Sequence, residues 1–333
     1  MTQTLSTPVL KTENIVLHFA KNRSLADVVM RRPQQKVKAL NGVSLRLEKG
    51  ETLGIVGESG CGKSTLARVL AGLYQPQQGE IEFYGETILN AKGKAQRDYN
   101  RRVQMIFQDP YSSLNPRMRV GDMLREALSV HKMRAERDIP ARIAELLELV
   151  RLPQDAADKF PHEFSGGQRQ RIAIARALSV EPEVLIADEL VSALDVSVQA
   201  QVVNLLLGLQ EELGLTVLFV AHDLRLVRHV SHRVAVIYLG SVVEIGPAKE
   251  LFAAPRHPYS EALLSAAPSL DPDDKGNAIP LKGELPSPLN IPTGCAFHGR
   301  CPLATDVCKT TLPLLKGDPA KGQVACHHRD PIE

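Results

Sequence analysis

The sequence has no excess of either charge: 40 Lys and Arg stand against 38 Asp and Glu, leaving a net +2. That balance removes the electrostatic case for nucleic acid as a principal partner, because phosphate backbones are held by basic surfaces. Long apolar runs are missing too. The longest, TVLFVA at 216–221 and RVAVIYL at 233–239, are strand-sized and fall far short of the roughly 20 residues that cross a bilayer. The opening stretch MTQTLSTPVLKTEN has no basic segment followed by an apolar one, so no secretory signal is expected. Internal repeats, low-complexity tracts and paired CxxC motifs are also lacking. Together these absences point to a cytosolic chain whose membrane role, if it has one, is peripheral. At 333 residues the chain has room for one large α/β domain and a smaller appendage.

What is present is chemistry for a nucleotide. Residues 57–64 read GESGCGKS, preceded by the buried-strand pattern ETLGIVG and followed by helical spacing through STLARVLAGL. Gly57, Gly60 and Gly62 let the backbone aim several N–H groups at one concavity, and the helix adds the positive end of its dipole. Lys63 is expected to reach the β- and γ-phosphates and Ser64 to ligate Mg2+. Glu58, Ser59, Cys61 and Thr65 complete the candidate ATP-binding run.

Other candidates lie at strand ends. Asp188 and Glu189 close the apolar run EVLIADE. Asp188 is suited to holding the metal and Glu189 to orienting or deprotonating the attacking water, although two acids at a strand end can also merely cap a helix. His222 follows the next strand, TVLFVAHD, as a candidate γ-phosphate sensor, and Gln108 ends VQMIFQ as a further Mg2+ or water ligand. Between 109 and about 165 the character turns helical, with Ile143, Leu146, Leu147 and Val150 on one face. A further helix is expected from Ser165 through QRQRIAIARAL, and another over 198–213. The basic stretch 20–37 reads as a surface loop and the proline-rich 268–293 as an extended linker.

These motifs, taken in order, resemble the ATP-binding subunits of ABC transporters over about residues 10–265. The resemblance makes GESGCGKS the Walker A loop, Gln108 the Q-loop residue, FSGGQ (164–168) the signature, LIADE (185–189) Walker B and His222 the switch histidine. SALD (Ser192, Ala193, Leu194, Asp195) becomes the D-loop, and Phe19 falls where the family stacks a ring on adenine. It implies a P-loop NTPase of α/β class with a RecA-like core, an antiparallel β subdomain and an inserted α-helical subdomain. By the same resemblance Ser165, Gly166, Gly167 and Gln168 serve the partner's ATP, so that hydrolysis requires a dimer. The partners implied are a second ABC ATPase chain, two transmembrane permease subunits and an extracytoplasmic binding protein, with the chain on the cytoplasmic face of the membrane.

HPYSEALLSAAP (257–268) and GELPSPLNIPTGCAFHGRCP (283–302) are similar to the C-terminal segment of dipeptide and oligopeptide importer ATPases. The expected division is therefore a nucleotide-binding domain over 1–267 and a cysteine-containing extension over 268–333. Related nickel, glutathione and sugar-peptide importers share such ATPases, so the cargo stays open. One departure stands out: the family carries proline after the Walker B glutamate, and here it is Leu190. The tail's Cys295, Cys301, Cys308 and Cys326 suit a four-iron cluster (4Fe-4S), which the family resemblance favours, or Zn2+, or free thiols.

Overall fold

The computed structural model describes residues 7–21, 23, 30, 33–109, 113–265 and 283–330. Half of the expected loop at 20–37 and more than half of the expected linker at 268–293 fall outside these residues, Pro268, Pro272 and Pro280 among them, while Ala20, Lys36 and Val37 belong to strands rather than to the loop.

Alternating burial near the N-terminus makes a sheet with one covered face. In β1 (Leu10–Ala20) the side chains of Leu10, Thr12, Ile15 and Leu17 are buried, and β1 pairs antiparallel with β2 (Lys36–Leu47). The chain then enters β3 (Thr52–Val56), whose five residues are all buried, followed by α1 (Lys63–Leu70). It returns to the first sheet through β4 (Gln78–Phe83) and the short β5 (Glu86–Thr87), giving the order β2-β1-β4-β5. Helix α2 (Lys94–Arg102) has no counterpart in the sequence reading. It reads KAQRDYNRR and buries only Tyr99, so no apolar periodicity announces it.

The second sheet has seven strands. Val103–Ile106 (β6) leads into the helical region of α3 (Val120–Val130) and α4 (Ile139–Leu149), with three short 3-10 turns. Ile143, Leu146, Leu147 and Val150 are buried there as the periodicity predicts, each burial contributing roughly 1.5–3 kcal/mol. The rest follows as α5 (Gly166–Leu178), β7 (Val184–Asp188), α6 (Val196–Leu213), β8 (Thr216–Val220), α7 (Leu224–Val230), β9 (Arg233–Tyr238) and β10 (Ser241–Pro247). Helices α8 (Ala248–Ala253), α9 (Pro258–Ser265) and α10 (Asp306–Thr310) and the strand β11 (Gln323–Val324) complete the chain.

The sheet order is β11-β10-β9-β3-β8-β7-β6. β3 pairs in parallel with both β8 and β9, and β8–β7 and β7–β6 are also parallel. Parallel strands covered by helices on both faces read as continuous apolar runs, as 184–187 and 217–220 do. Because β3, β7 and β8 share one direction, their C-terminal ends lie on one edge. Ligands of open α/β sheets bind at that edge.

Candidate functional site

The phosphate loop leaves the central strand β3 and turns into α1. A side chain at Gly62 is forbidden twice over: its φ is 109°, and an added Cβ would lie 2.4 Å from the Ala39 carbonyl oxygen. At Gly57 the Cβ would lie 2.2 Å from the Ile237 oxygen. Gly62 also gives α1 no side-chain cap, which suits its first N–H groups to an anion. Lys63 Nζ donates to the carbonyls of Gly57 (2.8 Å) and Glu58 (3.1 Å). Ser59 and Gly60 lie exposed at the tip, Thr65 is half-buried on α1, and Cys61 is buried. Burial pushes the Cys61 thiol up, opposed by the Lys63 ammonium.

Two acids close β7 beside this loop. Ser64 Oγ donates to Asp188 Oδ1 at 2.9 Å, although the residues are far apart in sequence. Burial pushes the Asp188 carboxyl above the usual range and the Ser64 hydroxyl pulls it back. A hydroxyl and a carboxylate side by side form a hard oxygen donor set of the kind Mg2+ takes. Glu189 is buried, has a φ of 51° and pairs with His222 Nε2. Gln108 Nε2 reaches Ser192 Oγ at 3.4 Å, and Ser192 Oγ donates to the Glu189 carbonyl at 3.1 Å. The Q-loop glutamine is therefore connected to the D-loop and, through it, to Glu189.

The signature segment caps a helix. Ser165 Oγ accepts from Gln168 N at 3.3 Å, and Gln168 Oε1 accepts from Ser165 N at 2.9 Å, a reciprocal capping box. Added Cβ atoms at Gly166 and Gly167 would lie 3.1 Å from Leu194 and 2.3 Å from Val198. The signature thus packs against the D-loop and the start of α6. Asp195 caps α6 by accepting from Val198 N at 3.0 Å, while Ala193 and Leu194 lie between the two caps. Phe19, partly exposed at the end of β1, packs edge-on against Tyr74 with ring centroids 5.4 Å apart.

The tail bears less on metal chemistry than the sequence reading expects. Among the described residues no three His, Cys, Asp or Glu side chains come together as ligands of one metal ion. Neither the 4Fe-4S nor the Zn2+ reading of Cys295, Cys301, Cys308 and Cys326 gains support from this geometry. Burial pushes the Cys295 thiol up to about 11, and charge on Cys308, Cys301 and Cys326 adds to the shift.

Two residues at the site escape the sequence reading. Tyr259 Oη accepts from Glu58 N at 2.8 Å, and Arg300 makes a forked pair with the Glu58 carboxylate at 2.7 and 3.1 Å. The segments that carry them stand out in the sequence only as a family resemblance, which does not reveal what they touch.

Residues 40–192 match the family described as ABC transporter, and residues 243–308 match that described as oligopeptide/dipeptide transporter, C-terminal region. The Bacillus subtilis (strain 168) putative oligopeptide transport ATP-binding protein YkfD is 50% identical over 323 residues, 96% of this chain and 95% of that protein. The Escherichia coli (strain K12) dipeptide transport ATP-binding protein DppF is 47% identical over 330 residues, 99% and 97% of the two chains. Among solved structures, cbiO1 from Clostridium perfringens, part of the complex cbiONQ, superposes with a TM-score of 0.62 at 30% identity, over 74% of this chain and 91% of that one. The dimeric bacterial cassette MJ0796 gives 0.61 at 27% identity, over 72% and 98%. No helix among the described residues is long and apolar enough to cross a membrane.

Proposed function

This chain belongs to the ABC transporter family, and from that premise we propose that it is the ATP-hydrolysing subunit of an importer for dipeptides or oligopeptides. The observation that carries the reading is the meeting of Ser64 with Asp188 at the mouth of the phosphate loop, next to the Glu189–His222 pair. Nucleotide-holding and water-activating groups share one edge of the sheet.

In this reading the loop 57–62 and Lys63 cradle the phosphates of ATP, and Phe19 stacks on its adenine. Ser64 and Asp188, with Gln108, hold Mg2+, which neutralises charge on the phosphates when bound. Glu189 takes the proton of the attacking water, and His222 holds that carboxylate in place. Ser165, Gly166, Gly167 and Gln168 complete the site of a second cassette, and the D-loop Ser192–Asp195 crosses between the two. Positioning and charge stabilisation supply most of the acceleration in phosphoryl transfer, so dividing the donors between two chains makes hydrolysis depend on their closure. We propose a heterodimer of ATPase chains on the cytoplasmic face of two permease subunits, fed by an extracytoplasmic binding protein. The nucleotide-binding domain spans 1–267, with its helical subdomain at about 109–165 facing the permeases, and the extension spans 268–333.

For the four tail thiols we keep the 4Fe-4S reading, which rests on the family resemblance of the sequence alone. Stoichiometric zinc without iron in anaerobically purified protein would overturn this assignment.

The transport reading is tested in the assembled complex reconstituted into vesicles. Peptide uptake that requires ATP, and that stops when Lys63 is replaced by Ala, supports it. Full ATP turnover with Ser165 and Gly166 disrupted in every cassette would refute it.

A further inference from the structure

Glu58, in the phosphate loop, is gripped from three directions. Its carbonyl accepts from Lys63 Nζ (3.1 Å), its N–H donates to Tyr259 Oη (2.8 Å), and its carboxylate takes both arms of Arg300 (2.7 and 3.1 Å). The two outer partners are rigidly seated. Tyr259 is fully buried, and its ring lies 4.6 Å from that of Tyr238 and 5.5 Å from that of Phe297. The Arg300 side chain is 6% exposed and its Nη1 lies 3.5 Å from Tyr238 Oη. Tyr259 lies in the first turn of α9 and Arg300 directly precedes Cys301, so both belong to the segments that follow the cassette motifs.

We propose that Tyr259 and Arg300 are positioning residues for the phosphate loop, and that the C-terminal segment thereby sets the affinity of this chain for Mg-ATP. The inference rests on the ATP-hydrolysing reading above. A phosphate loop acts through the directions of its N–H groups, which must be fixed before the anion arrives. A forked guanidinium–carboxylate pair fixes direction more strictly than a point charge does. It also cancels an anion on the residue next to Gly57, where a lone carboxylate would repel the incoming triphosphate. The Tyr259 hydroxyl meanwhile accepts the Glu58 N–H and holds that peptide plane.

The test is a cycle of variants in the full-length chain, read by equilibrium binding of a fluorescent ATP analogue with Mg2+. Arg300→Met should weaken binding about tenfold in the native background and by less than about twofold in the Glu58→Gln background, because there no carboxylate is left unpaired. Arg300→Lys, which keeps the charge but loses the fork, should fall between native and Arg300→Met. Tyr259→Phe should weaken binding about threefold through the unpaired Glu58 N–H. An equal loss from Arg300→Met in both backgrounds, or native affinity in Arg300→Lys and Tyr259→Phe alike, overturns the positioning role and leaves the transport reading untouched. A native chain that binds no Mg-ATP overturns the functional reading itself.

Discussion

Glu189 and His222 are paired although each follows a different strand of the sheet. Asp188 lies in register with Val220 across β7 and β8, so the residues just beyond each strand emerge side by side. The pairing is thus a product of strand register, and the positive φ of Glu189 turns its carboxylate toward the loop edge.

Replacing Glu189 with Gln removes the proposed proton acceptor and keeps the shape. Phosphate release should fall by about 10²–10⁴-fold, the usual contribution of a general base, while Mg-ATP binding persists. Parallel assays of phosphate release and nucleotide binding check this; unchanged turnover would remove Glu189 from the mechanism.

Gly62→Ala should abolish tight nucleotide binding without unfolding the chain. The left-handed conformation strains any side chain by about 1–3 kcal/mol, and the Ala39 carbonyl blocks the new methyl group. A loss of about tenfold or more in Mg-ATP affinity is expected, with an unaltered far-ultraviolet circular dichroism spectrum.

Leu190 stands where the family resemblance leads one to expect proline, and its side chain is 1% exposed within the main core. Leu190→Pro removes part of that packing at a cost of about 1–3 kcal/mol. It also disfavours a helical-type conformation at the residue before it, here the positive-φ Glu189. The thermal midpoint should drop and ATPase turnover should not rise; a gain of tenfold would show that leucine handicaps the site.

His257 supplies a pH dependence. It is 1% exposed, and burial, aided by Arg329, pushes its imidazole from the ordinary 6.5 down to about 3. Neutral Nδ1 accepts from Tyr259 N at 3.0 Å, a bond that protonation breaks. The unfolded chain takes up a proton near 6.5 while the folded one resists it. The stabilisation is therefore complete above 6.5 and is lost as pH falls toward 3, at about 1.4 kcal/mol per pH unit. Buried Glu244 titrates upward and opposes this trend. The difference between the native chain and His257→Asn in denaturant unfolding at pH 7 and pH 5 isolates the histidine. Since the chain has no tryptophan, circular dichroism is the suitable signal, and identical pH slopes for both proteins would contradict the prediction.

Much of the site was legible because its chemistry constrains short stretches. The glycines before Lys63, the acids after an apolar run and the capping serine at 165 each announce themselves locally, and β3, α1, α5, β7, α6 and β8 fall where the patterns place them. Contacts made across the chain were not legible. Arg300 meets Glu58 across 242 positions, and no local pattern marks either residue as the other's partner. Helix α2 was missed because its surface is polar almost all round. The cysteine spacing suggested a common ligand for the four thiols, but spacing alone does not reveal the distances between them.

The two-residue strand β11 borrows its hydrogen bonds from Glu244 and Ile245 of β10, which would otherwise form the open border of the main sheet. A polypeptide emerging from the ribosome cannot seal that border until synthesis has reached Gln323 and Val324, far along the chain from β10. Truncated forms that keep every cassette motif would consequently display a bare, self-complementary rim, and should be prone to clumping rather than merely inactive.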